Sequence, residues 1–166
     1  MGYLNYAYKG IHPKRFYYLS SLSTKQFFNS LSEPKDNATH LKETMQWLCR
    51  AQDANHDNGV SALYSLFDGW SFSYIETTGY IIPTFFNYAK STKNDDYAKR
   101  AVAMADFEAS KQLADGGFEG GRGKGKPVTF NTGQVLYGLC RTYKETKEKK
   151  YKDAAIKAAD FLLSTM

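Results

Sequence analysis

Among the 166 residues of this chain, the first with the makings of chemistry are carboxylates around one short run. Glu76 stands directly before Thr77-Thr78-Gly79-Tyr80, and Asp68 and Asp115 fall in loops on either side of it. Glycoside hydrolysis needs two carboxyl groups about 5 to 9.5 Å apart, flanking the sugar bond. Glu76 with Asp115 is the acid/base pair the sequence offers, with Asp68 as a third member. The structural alternative for Glu76 is a charge that stabilises the positive end of its own helix. Trp70, Phe72, Tyr74, Tyr80, Phe118 and Phe130 lie in or beside the same loops. Flat rings at such places stack on sugars or pack between helices.

A second run, Asn131-Thr132-Gly133-Gln134, carries polar groups at an expected helix start, and Asn131 with Gln134 has capping-box spacing. Thr77 and Asn131 are the expected N-caps, where backbone N–H groups favour anionic ligands such as uronates. Between these runs, Arg122, Lys124 and Lys126 punctuate a glycine-rich loop over 116–126. The loop lacks the spacing of a phosphate-binding loop and no strand precedes it, so contact with an acidic glycan is the better reading. Trp70, Tyr80, Phe118, Arg122, Asn131 and Gln134 are therefore the candidate substrate-binding set. His12, His40 and His56 are scattered, so no metal site is expected, and no cofactor motif is present.

The elements that must position these residues are helices. Apolar spacing predicts helices over about 39–53, 77–91, 95–113, 132–145 and from 149 onward, with a further one over 16–31. No segment alternates with period two, so no strand is required. Residues 1–36 are rich in Tyr and Phe and read as an arm packing on the body, and 37–166 as that body. The turn Ser32-Glu33-Pro34-Lys35-Asp36-Asn37 marks the boundary.

An internal repeat ties the helices together. A shift of 54 residues brings Thr78-Gly79 onto Thr132-Gly133, Thr92-Lys93 onto Thr146-Lys147, Tyr97 onto Tyr151, and Ala105-Asp106-Phe107 onto Ala159-Asp160-Phe161. Eight of the 20 residues over 91–110 are identical in the second copy. A looser copy has Trp47 and Gln52 opposite Phe107 and Gln112, at a shift of 60. Such repeats bury their apolar faces only against neighbours. The expected fold is all-α: about three antiparallel helical hairpins with the long loops gathered at one end.

The segment Gln112-Leu113-Ala114-Asp115-Gly116-Gly117-Phe118 resembles the glutamine-to-aromatic loop of α/α-toroid proteins, with Phe for the usual Trp. Gly69-Trp70-Ser71, Glu76-Thr77-Thr78-Gly79-Tyr80-Ile81-Ile82-Pro83, Phe130 to Leu136 and Gly138-Leu139 look like a bacterial and archaeal toroid family linked to polysaccharide biosynthesis, described as six-hairpin-glycosidase-like. The resemblance spans roughly 39–166. It implies part of an (α/α) toroid and a carbohydrate-active role as hydrolase, lyase or epimerase; the rival is a non-catalytic glycan-binding module. A terpenoid or prenyl enzyme is disfavoured, because the aspartate motifs of that chemistry are absent. Three hairpins are fewer than a closed toroid holds, so the chain reads as a fragment, a truncated gene product or a half-toroid that pairs; the apolar helix face left open should be covered in a homo-oligomer, most simply a dimer.

Composition narrows the partners. The net charge of +5 is spread among acidic residues, which argues against nucleic acid, and no 18-residue apolar stretch predicts a transmembrane helix. Cys49 and Cys140 sit in apolar helical patterns, outside any CxxC or Cys/His cluster. They read as buried free thiols, pointing to a reducing, cytoplasmic setting.

Overall fold

The computed structural model describes residues 13–28, 33–65, 68–121 and 125–166. Six helices carry it: α1 (Pro13–Phe27), α2 (Asn37–Asp53), α3 (Ile75–Thr92), α4 (Asp95–Lys111), α5 (Thr129–Thr146) and α6 (Lys149–Ser164). Among the described residues the only sheet is a two-stranded antiparallel ladder, β1 (Tyr64–Ser65) with β2 (Gly69–Trp70). It closes a loop rather than building a layer. The protein is thus mainly helical, as its patterning requires.

Local chemistry explains the helix ends. Asp36 caps α2 by accepting a hydrogen bond from Thr39 N at 2.9 Å, and Asn94 caps α4 by accepting from Asp96 N at 3.0 Å. α3 and α5 stop alike: Lys93 and Lys147 both adopt left-handed backbone, and their N–H groups return to Ala89 O and Tyr143 O. The duplicated Thr-Lys pair is therefore a duplicated stop signal.

The starts of α3 and α5 correct the sequence reading. Their N-caps are Tyr74 and Val128, without side-chain caps, so Thr77 and Asn131 lie inside the first turn and Glu76 belongs to the helix. The backbone sets these starts. Tyr74 N donates to Val60 O and Val128 N to Phe118 O, both at 2.9 Å, which pins each entering chain to the loop before it.

The core gathers around α3, which packs on α5 and α4, while α5 packs in turn on α6. Ile82, Phe85, Met104, Val135, Leu139 and Tyr151 are fully buried there, and α2 adds Met45 and Ala51. Two glycines let α3 and α5 touch. A Cβ on Gly79 would come within 2.7 Å of Val135 Cα, and one on Gly138 would run into Gly79 O. Gly79 O has no helical donor because residue 83 is a proline, and that bare carbonyl is what Gly138 approaches.

α1 stands apart. Phe16, Tyr17, Tyr18, Leu22, Phe27 and Phe28 are exposed, and no described α1 side chain enters the core. The expected packing of the arm on the body is not found among its described residues. Rings at successive positions 16, 17 and 18 face different directions and form no single stripe. The expected residues 1–12 of the arm, the end of its helix over 29–31, and Ser32 lie outside the described residues.

Candidate functional site

The repeat is visible atom by atom at the end where the loops gather. Gln52 Nε2 donates to Asn58 O (3.3 Å) and Arg100 O (3.0 Å), and Gln112 Nε2 donates to Gly116 O (3.0 Å) and Ala154 O (2.8 Å). Each glutamine ties its own loop to the next outer helix. Asp57 Oδ1 accepts from Gly59 N at 3.0 Å, and Asp115 Oδ1 accepts from Gly117 N at 2.9 Å. The residues between, Asn58 and Gly116, both take positive φ. Thr78 Oγ1 then accepts from Val60 N (2.8 Å) and donates to Tyr74 O (2.8 Å). Thr132 Oγ1 does the same with Phe118 N (3.0 Å) and Val128 O (2.9 Å). These buried threonines fasten each loop to the helix that follows.

Two hairpin-like loops project from this frame. The first is held by the Ser61–Ser73 bridge, with Asn55 Nδ2 donating to Ser71 O (2.8 Å) and Ser73 Oγ donating to Asp57 Oδ1 (2.7 Å). The second is held by the Glu119–Pro127 bridge, and Asn131 Nδ2 supports it by donating to Glu119 O at 3.0 Å. Gly121 N reaches Tyr74 Oη at 3.4 Å and links the two.

Between the loops lies a cleft of about 1050 Å³. Asp57, Asp68 and Glu119 bring carboxylates to its lining, Lys111 a cation, and Trp70, Phe72 and Phe107 aromatic surface. Trp70 is braced from outside the cleft by Trp47 (ring centroids 4.8 Å) and by the edge contact of Tyr64 (4.9 Å). A ring held this way offers a face without further loss of rotamer freedom. Three carboxylates against one lysine give the described lining an acidic balance. The uronate reading rests on Arg122, Lys124 and Lys126 of the adjoining loop. Of these, Lys126 is exposed, while Arg122 and Lys124 lie outside the described residues.

The candidate residues are dispersed by this geometry. Trp70 lines the cleft. Glu76 is half-buried in the first turn of α3 and is not part of the cleft lining. Asp115 spends one carboxyl oxygen on the turn at Gly117. Tyr80 is exposed on α3, and Gln134 is half-buried on α5. Asn131 is buried and supports the loop backbone. Phe118 is 0% exposed and belongs to the core, so it offers no face to a ligand.

Asp57, Lys111, Phe107 and Glu119 were not singled out as binding residues, yet all four line the cleft. One signal bears on them: Asp57-Asn58-Gly59-Val60 and Asp115-Gly116-Gly117-Phe118 share an Asp-x-Gly-apolar pattern. It marks both aspartates as turn residues and both apolar residues as core.

One further carboxyl is unusual. Glu108 on α4 is fully buried, and neither of its oxygens has a hydrogen-bond partner. Burial pushes it well above the ordinary carboxylate range, opposed only by the nearby Lys111. It is held as a neutral acid in the core.

Among the described residues, no three His, Cys, Asp or Glu side chains come together as a metal site. Cys49 is a half-buried free thiol, whereas Cys140 is exposed, contrary to the buried setting its pattern suggested, because the groove it faces is uncovered. No helix among the described residues is long and apolar enough to cross a membrane. No family model, curated protein or solved structure matches the chain.

Proposed function

We propose that this protein is a glycan-binding module built on α/α-toroid hairpins, with a neutral saccharide held in the cleft between its two loops. The observation that carries this reading is the cleft lining, in which the braced Trp70 ring lies with Phe72 and Phe107 among hydrogen-bonding carboxylates. Sugars present an apolar C–H face and a rim of hydroxyls, and such a lining matches both. The duplicated glutamine and threonine ties support the toroid reading of the hairpins. The free thiols support a reducing, cytoplasmic setting in polysaccharide biosynthesis or processing.

A glycan array followed by calorimetry tests this. Trp70→Ala should lower affinity for the bound glycan at least tenfold while leaving the helical signal intact, because the ring stands at the loop and outside the α3–α5 contact. Equal affinity in both forms, or no glycan bound by the wild type, defeats the reading. The enzymatic alternative, a hydrolase, lyase or epimerase, draws on Asp68 and Glu119 lining one cleft. Turnover of the bound glycan that Glu119→Gln abolishes, with binding retained, would favour it.

A further inference from the structure

The repeat makes one uncovered surface informative. A shift of 54 residues carries the α3/α4 groove onto the α5/α6 groove. α5 fills the first groove along its Gly79 half, where Gly79 is in backbone contact range of Val135 and Phe86 is only 4% exposed, while the far half, lined by Ala89, Ala98 and Val102, holds an open cavity of about 780 Å³. In the second, Gly133 occupies the Gly79 position, and among the described residues nothing lies within 4 Å of its Cβ site. Cys140, the counterpart of Phe86, is exposed, and Ile156, the counterpart of half-buried Val102, is 49% exposed. Leu136, Cys140, Tyr143, Ala155 and Ile156 line an apolar groove of about 410 Å³. It continues the interface that α5 makes with α3 and α4, so its natural occupant is a helix of the same pattern.

The chain carries another such helix that gives nothing to the core. Phe27-Phe28-Asn29, at the end of α1, recurs as Phe85-Phe86-Asn87 in α3, 58 residues on. The N-caps Asp36 and Asn94 keep that register. Ser20 and Ser21 then fall on Thr78 and Gly79, so α1 is small where α3 is small. Ser23 falls on Ile81 and, one repeat later, on Val135, the residue that meets Gly79. Phe27, one turn on from Ser23, falls on Phe85 and Leu139, both fully buried in the core, and is itself 83% exposed. Within one copy, α1 leads into α2, and α2 is fastened to α4 by the Asp53–Arg100 ion pair (2.7 Å) and by Gln52.

We propose that the α5/α6 groove of one copy receives α1 of a second copy, and the reverse, giving a twofold pair with two identical contacts. Burial of both apolar surfaces drives the association. The proposal holds whatever the cleft binds.

Sedimentation equilibrium at tens of micromolar tests it, on the wild type, Gly133→Leu and Phe27→Ser, each checked by circular dichroism. A Cβ at Gly133 meets no described atom within 4 Å, and Gly133→Leu removes a helix-interior glycine, so the fold should be kept while the docking surface is blocked. The expected result is wild type at twice the 18.8 kDa chain mass, with self-association at least tenfold weaker in both variants and the helical signal unchanged. A wild-type monomer overturns the proposal and leaves the groove to a helix of another protein. A pair that survives either substitution unchanged overturns it too, since the contact must then lie elsewhere.

Discussion

The α3/α4 groove and the α5/α6 groove are built from corresponding residues, yet at the Thr-Gly end one is packed by a following helix and the other is open. Thr-Gly begins the inner helix of each, Ala101 and Ala155 line each, and Asp106 and Asp160 follow in each. Both aspartates are exposed, and Asp106 accepts from Tyr151 Oη (2.8 Å) and Lys150 Nζ (2.6 Å) of α6, the helix of the next repeat. The aspartate raises the pKa of both donors, to about 12 for Tyr151, where desolvation is the larger cause. The difference between the grooves lies in the neighbour, not in the residues. In a hairpin array, burial is conferred by the following repeat, and a residue's type states only what it is ready to bury.

The comparison can be broken at its tightest point first. Gly138→Leu drives a side chain into Gly79 O and Ile82, where backbone cannot yield. We expect a loss of more than about 3 kcal/mol in urea unfolding, at or beyond the usual range for overpacking. A loss under 1 kcal/mol would mean α3 and α5 do not meet there.

Next come the ties common to both repeats. Thr78→Val and Thr132→Val each leave a buried N–H, of Val60 or Phe118, without its acceptor. Each should cost about 1–3 kcal/mol. A large effect at one site and none at the other would show that the repeats are not held alike.

Glu108 sharpens the comparison in another way, because its counterpart in the second repeat is Leu162. Its folded pKa is raised, so it does not affect the pH dependence while both states are protonated, below the unfolded value near 4.5. As pH rises past that value the unfolded chain loses the proton first, and stability falls until the folded pKa is reached. Glu108→Leu should therefore stabilise by about 1–3 kcal/mol at pH 4, by the removal of a buried unpaired group, and by more at pH 7, where the unfolded wild-type chain has ionised. Denaturant curves at the two pH values decide it; a gain that does not depend on pH would contradict the buried neutral acid.

The smallest effect is expected at the duplicated stops. Lys93→Gly and Lys147→Gly each relieve a left-handed residue and should raise stability by about 1 kcal/mol, read as a small rise in Tm. A fall at either would mean its lysine side chain outweighs that strain.

The hairpins were legible in the sequence because 3.6-residue spacing, Asn94 as a cap and the repeated Thr-Lys stop are local signals. The starts of α3 and α5 were not, because Tyr74 and Val128 are placed by backbone bonds to Val60 and Phe118, and no capping side chain announces them. The cleft was legible at Trp70 and Phe72 and, as a subsidiary acid, at Asp68. Asp57, Phe107, Lys111 and Glu119 come from separate loops and from the end of α4, and meet only in three dimensions. Asp115 and Phe118 drew attention through loop position, while their counterparts Asp57 and Val60 show what the motif does: one turns the chain, the other fills the core.

The comparison rests on Gly79 and Gly133, and one pair of unfolding curves tests it directly. Gly79→Ala places a methyl against Val135 and should cost about 1–3 kcal/mol. In a variant kept monomeric by Phe27→Ser, Gly133→Ala meets open space and should gain about 1 kcal/mol from helix propensity alone. Equal changes at the two positions would contradict the account, because the repeats would then be packed alike.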